Sequence, residues 1–268
     1  MAAVALRWLG RVTALLCGAT VLSALSSLAS ALATASPPLA TASPSRSCNL
    51  INYEPYYDGG QTVFTTVVFG TESYISSQEA SLCGAEGLSL AWPMVVGNSS
   101  DYPGHVGWAQ VGYGHFGSGT TNPPFYGYGG FWLWDEWVQA YGKTRLHTIV
   151  YGNSVPQNAL YSVVWSSNCD CLQLRVGSLG ELDYTSFDPG SKWNAAWQGQ
   201  WYGETNYPSD DVPGTQDDPA NFTGVNIETW DGSWASPQSF RLESPDLSQY
   251  KQALLANPPN FKIWTYPP

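Results

Sequence analysis

Three polar side chains fall among aromatic residues at positions that a β-strand turns to one face. If His105–Tyr113 is a strand, Gln110 shares its face with Val106 and Trp108. On Phe131–Val138, Glu136 shares a face with Trp132 and Trp134. On Trp197–Thr205, Glu204 shares a face with Gln198, Gln200 and Tyr202. Should these strands be neighbours, they form a groove lined by Trp108, Trp132, Trp134, Gln200 and Tyr202 and holding Gln110, Glu136 and Glu204. Amide hydrolysis needs an activated water, a donor for the developing oxyanion and an acid for the leaving amine. A carboxylate takes the water's proton and returns it to nitrogen. A glutamine amide donates to the oxyanion while its carbonyl holds the water. The same groups admit a second chemistry, in which Glu136 and Glu204 act as the two carboxylates of a glycosidase. A third reading is a non-catalytic surface whose exposed Trp and Tyr stack on glycans. A lone Glu on a strand is more often a solvated face residue, and aromatics are good core residues in their own right.

The elements that must position these groups are strands. Short apolar, β-branched or aromatic runs are separated by Gly, Pro, Asn and Asp throughout. The strands expected are Ser89–Val96, His105–Tyr113, Phe131–Val138, Arg145–Tyr151, Ala159–Ser166, Leu172–Val176, Glu181–Phe187, Trp197–Thr205, Val225–Trp230 and Gln238–Leu242. So many short strands in one domain predict an all-β sandwich or barrel. Only the tail reads as a helix. Ser244-Pro245-Asp246 supplies an N-cap, a first-turn proline and an acid near the dipole, and Pro258-Pro259 stops the run at about Ala256.

The order Trp92, then Trp108-Ala109-Gln110-Val111-Gly112, then Trp134-Asp135-Glu136-Trp137, then Gln200-Trp201-Tyr202-Gly203-Glu204 resembles the eqolisin-type glutamic peptidases. The resemblance covers about Ser89 to Trp230, and Cys48–Gly87 shows none. It implies an antiparallel, concanavalin A-like β-sandwich of jelly-roll type and a secreted enzyme acting at acid pH on polypeptides. It also implies that Gln110 and Glu204 are the catalytic pair and that Trp92 and Glu136 support them. No cofactor is implied. Against the glycosidase reading, Asp135 and Glu136 are adjacent and point to opposite faces, so the E-x-D-x-x-E strand motif of sandwich glucanases is missing.

Composition agrees with this picture and excludes others. The chain has 268 residues, 14% of them aromatic and only 12% charged, unlike a disordered polymer. Asp and Glu number 21 against 10 Lys and Arg, which rules against a phosphate-backbone partner. With so few basic groups, self-repulsion at low pH is limited. Met1 to Ala35 reads as a secretory signal: Arg7 and Arg11 precede the apolar Val12–Leu28, and Ala31-Leu32-Ala33 and Ala33-Thr34-Ala35 are cleavage patterns. Residues 36–47 read as a flexible leader and 48–268 as a single domain, extracellular, monomeric and free of the membrane after cleavage. Removal of the signal, with Cys17, leaves Cys48, Cys83, Cys169 and Cys171, an even number suited to disulfides in an exported chain. The pairing favoured is Cys48–Cys83 with a tight Cys169–Cys171, although pairing of Cys48 and Cys83 with the later two also satisfies the count. The three histidines, His105, His115 and His147, have no ligand spacing relative to a cysteine pair, so no metal is expected.

Overall fold

The computed structural model describes residues 55–63, 68–119, 127–152, 155–257 and 259–266, and leaves aside the side chains of 195 and 196. The expected signal and leader, and Cys48, lie outside the described residues. The strands are β1 (Tyr56–Thr62), β2 (Gly70–Ser76), β3 (Leu88–Ser99), β4 (Val106–Phe116), β5 (Gly130–Val138), β6 (His147–Val150), β7 (Asn158–Ser166), β8 (Cys171–Val176), β9 (Gly180–Tyr184), β10 (Trp193–Thr205), β11 (Ala220–Glu228), β12 (Trp234–Ala235), β13 (Phe240–Leu242), β14 (Tyr250–Leu254) and β15 (Phe261–Thr265). They form two antiparallel sheets. The first runs β13-β1-β10-β3-β4-β5-β6 and the second β14-β15-β11-β2-β7-β8-β9, with β12 beside β11.

Period-2 alternation explains how the sheets stack. Ala91, Val95, Ala109, Val111, Tyr113, Leu133, Trp197 and Trp201 point inward from the first sheet. They meet Ile75, Tyr161, Val163, Leu172, Leu174, Phe222, Phe261 and Ile263 from the second. The opposite face of the first sheet is not simply wet. Leu88, Leu90, Trp92, Met94, Val96, Phe116, Trp134 and Tyr202 form a second buried layer there. β3 is thus buried on both faces along nearly its whole length, and this outer layer floors the candidate site.

The helix expected over Ser244–Ala256 is not formed. Asp246 accepts a hydrogen bond from Tyr57 N at 2.7 Å, and Asp246 N donates to Tyr57 O at 3.1 Å, which pins the segment to β1. The following residues pair with β15, Tyr250 opposite Thr265, because burying the Tyr250 ring requires an extended chain there. The short helix α1 lies instead at Pro189–Lys192, capped by Asp188, which accepts from Gly190 N at 2.8 Å. Among the strands unforeseen in the sequence, β1 lies between β13 and β10 in the first sheet and β2 at the middle of the second.

Cys169 and Cys171 are bonded to each other, with Cα atoms 5.2 Å apart, in the turn between β7 and β8. Cys83 is also disulfide-bonded; Cys48, the partner expected for it, lies outside the described residues. Among the described residues no helix is long and apolar enough to cross a membrane.

Candidate functional site

The antiparallel register of the first sheet determines which side chains meet on its outer face. Gln110 on β4 is opposite Met94 on β3 and Glu136 on β5. Gln200 on β10 is opposite the same Met94 on its other side. Tyr202 is opposite Trp92, and Glu204 is opposite Leu90 on β3 and Tyr57 on β1. These rows floor a cavity of about 840 Å³ lined by Gln110, Glu136, Glu204, Trp92, Trp108, Gln200 and Tyr202. Trp132 and Trp134 do not line it. They share the outer face with Glu136, but Trp134 is buried in the outer apolar layer. Trp132 packs edge-on to Tyr128 at 4.8 Å and donates to Gly129 O at 2.9 Å. Period 2 sorts residues between faces, and it is blind to what covers a face farther along the strand.

Glu136 accepts three hydrogen bonds. Trp108 Nε1 donates to its Oε1 at 3.0 Å, Gln110 Nε2 to the same oxygen at 3.1 Å, and Thr148 Oγ1 to Oε2 at 3.0 Å. Burial pushes its carboxyl above the usual range, and these three donors oppose the shift. The Gln110 amide, nearly buried at 6% exposure, is thereby held in one orientation. One of its two N–H groups is engaged by Glu136, and the other has no acceptor among the described residues.

Glu204 has a sparser set of partners. Trp92 Nε1 donates to its Oε2 at 2.9 Å. Burial first, and then the charge of Glu136, push its carboxyl up to about 8, against the lowering effect of the Trp92 hydrogen bond. Glu204 is therefore protonated in acid and still largely so at neutrality. Tyr57 stands beside this carboxyl. Its ring meets Trp92 at 6.3 Å and Tyr202 at 5.9 Å. Burial, then the charges of Glu204 and Glu136, hold its phenol protonated.

The far end of the cavity is a chain of amides. Gln198 Nε2 donates to Gln61 Oε1 at 2.8 Å, and Gln200 Nε2 donates to the same oxygen at 3.1 Å. Gln61 Nε2 donates to Glu243 Oε1 at 2.6 Å, and Arg241 pairs with that oxygen at 2.6 Å. Tyr57, Gln61, Glu243 and Asp246 are cavity residues that sequence reasoning missed. Tyr57, Gly59 and Gln61 do alternate to one face, but Asp58-Gly59-Gly60 reads as a turn and hid that signal.

No family model matches the chain, and no curated protein does either. Solved structures do. Scytalido-glutamic peptidase with a peptide-based transition state analog superposes with a TM-score of 0.51 at 16% identity, covering 80% of this chain and 98% of that one. SCP-B, a member of the eqolisin family of peptidases, in complex with the tripeptide Ala-Ile-His gives 0.51 at 14% identity, covering 79% and 98%. A second scytalido-glutamic peptidase structure, with a transition state analog inhibitor, gives 0.52 at 14% identity, covering 78% and 98%. The β-sandwich is therefore the fold of these glutamic peptidases.

Proposed function

We propose that the chain is an exported peptidase that hydrolyses peptide bonds with Glu204 and Gln110 at acid to neutral pH. The observation that carries this reading is the convergence in one cavity of a Trp92-anchored carboxyl and an amide held by Glu136. The sandwich around them is one that solved glutamic peptidases share. Neither a nucleophilic side chain nor a metal is required at these positions for the chemistry.

The raised position of Glu204 sets the order of proton transfers. Its carboxyl proton passes to the substrate carbonyl oxygen as water adds to the carbonyl carbon, and a water proton replaces it on the carboxyl. The product is a neutral gem-diol and a protonated Glu204. That proton then goes to the amide nitrogen, the C–N bond breaks, and a gem-diol hydroxyl returns its proton to Glu204. The products are a carboxylic acid and an amine. The free N–H of Gln110 stabilises the oxygen on which negative charge develops. Charge on Glu204 above its pKa removes the initial donor, so activity is lost as pH rises through about 8.

Export is supported by the signal-like first segment and by the Cys169–Cys171 disulfide, a bond that persists in oxidising compartments. The test is incubation of the purified mature protein with denatured casein, and in parallel with a β-glucan, between about pH 2 and pH 8. Casein cleavage is expected. Glu204→Gln is expected to lower its rate about 10²–10⁴-fold with an unchanged unfolding curve. Unaltered cleavage by that variant, or glucan hydrolysis without proteolysis, overturns the reading.

A further inference from the structure

On the opposite side of β5 from Glu136, three side chains from both sheets converge: Asp135 on β5, His147 on β6 and Asp183 on β9. One ligand atom from each lies within 4.8 Å of the other two. Asp135 is fully buried, and its Oδ1 meets no hydrogen-bond partner among the described residues. A buried carboxylate oxygen without a partner is costly, and a cation offsets that cost directly. His147 Nε2 stands 3.0 Å from Asp183 Oδ2, and their side chains keep 36% and 17% exposure, although the His147 Nε2 atom is itself buried.

We propose that Asp135, His147 and Asp183 form a binding site for a divalent transition-metal ion that clamps the edge of one sheet to the other. One imidazole nitrogen and two carboxylate oxygens are a donor set suited to zinc, with water in the fourth position. Tetrahedral zinc holds such donors about 3.3 Å apart, and rotation of the partly exposed His147 and Asp183 side chains closes the gap. Two of the three ligands already have the kind of outer hydrogen-bond partner that orients a metal ligand, and the third is held by ring stacking. Tyr151 OH donates to Asp135 Oδ2. Trp137 Nε1 donates to Asp183 Oδ2 at 3.0 Å, and the Trp137 ring stacks on His147 at 4.5 Å. Sequence spacing gave no hint of the site, because its ligands come from three strands and from no cysteine.

Protons compete for the same groups. Carboxylate and imidazole donors bind a metal ion in their deprotonated forms. Metal is therefore expected to bind at neutral pH and to leave in acid.

The experiment is calorimetric titration of the mature protein with zinc chloride at about pH 7.5 and pH 4, alongside thermal unfolding with and without zinc. One zinc ion per chain is expected at the higher pH and none at the lower. Zinc at a hundredfold excess over Kd is expected to raise Tm by about 5 °C or more. His147→Gln and Asp183→Asn alter partly exposed groups, and each is expected to weaken binding at least about tenfold, as is Trp137→Phe. Absence of zinc binding at pH 7.5, or equal binding by the ligand variants, overturns the proposal. So does a Tm that zinc leaves unchanged at pH 7.5. No readout is proteolysis, so this site stands or falls apart from the peptidase reading.

Discussion

At the scale of single residues, the two glutamates of the cavity are unlike because their partners are unlike. Glu136 accepts from Trp108, Gln110 and Thr148, which suits a group that orients a neighbour. Glu204 holds one indole N–H and keeps an oxygen for substrate. Gln110→Ala is therefore expected to lower kcat about 10²–10³-fold with KM little changed, because an oxyanion donor acts chiefly in the transition state. Steady-state kinetics on a peptide substrate check this, and a fall in Tm without a fall in kcat per folded molecule marks a structural amide instead. Glu136→Gln is expected to lower kcat less than Glu204→Gln, since it loosens the Gln110 amide and leaves the proton donor in place. A glycosidase predicts equal losses for the two variants. Trp92→Phe removes the hydrogen bond that lowers the Glu204 pKa, so the alkaline limb of the kcat/KM profile is expected to move to higher pH. A limb unmoved in that variant disconnects Trp92 from the titrating group.

At the scale of elements, legibility followed the strength of local pattern. β3, β4, β5, β7, β8 and β10 are rich in apolar and aromatic residues, and all are visible in the sequence near their observed bounds. Gln110, Glu136 and Glu204 were legible because each stands among such residues. β1 was not legible, because Gly59 and Gly60 mimic a turn. The structure gives them another role. A Cβ at Gly59 would come within 2.2 Å of Trp201 O, and one at Gly60 within 2.4 Å of the Phe240 ring. These glycines let β1 lie close to β10 and β13. Gly59→Ala is accordingly expected to destabilise the fold by about 1–3 kcal/mol through overpacking, read as a lowered Tm in thermal unfolding. The tail was misread for the reverse reason. Its capping signals are genuine local preferences, and the contact of Asp246 with Tyr57 N outweighs them, which no local window contains.

At the scale of the whole molecule, the buried carboxyls give stability an unusual pH dependence. Asp58 is 1% exposed, and neither oxygen has a hydrogen-bond partner among the described residues. Burial, then Asp246, push it up to about 8, with Lys251 opposing. Asp210 is held at about 7 by burial, against donation from Cys83 N and Leu88 N, and Asp135 also at about 7. Unfolded aspartate titrates near 4. Between about pH 4 and pH 8 the folded chain therefore binds more protons than the unfolded one, and stability falls as pH rises. The ceiling for one such group is about 1.4 kcal/mol per pH unit. Thermal unfolding in metal-free buffer is expected to show the highest Tm near pH 4 and a steady decline toward pH 8. Asp58→Asn is expected to recover part of that decline at pH 8 and to change little at pH 4. A Tm that rises from pH 4 to pH 8 contradicts the burial argument.

The pairing of β1 has a consequence for how the molecule is made. Tyr57 joins Glu204 in the cavity only through β10, and Gly60 finds its outer partner, Leu242, later still. A ribosome-bound chain therefore emits the strand that walls the cavity early, and the strands that receive it emerge only after most of the remainder. Such non-local closure is slow. Until it occurs, the Tyr57 wall and the Glu204 carboxyl are not joined, and the Gln61–Glu243 contact is unmade. A nascent chain released before Phe240 keeps β1 with one edge open. It is a candidate for aggregation before it is a candidate for proteolysis.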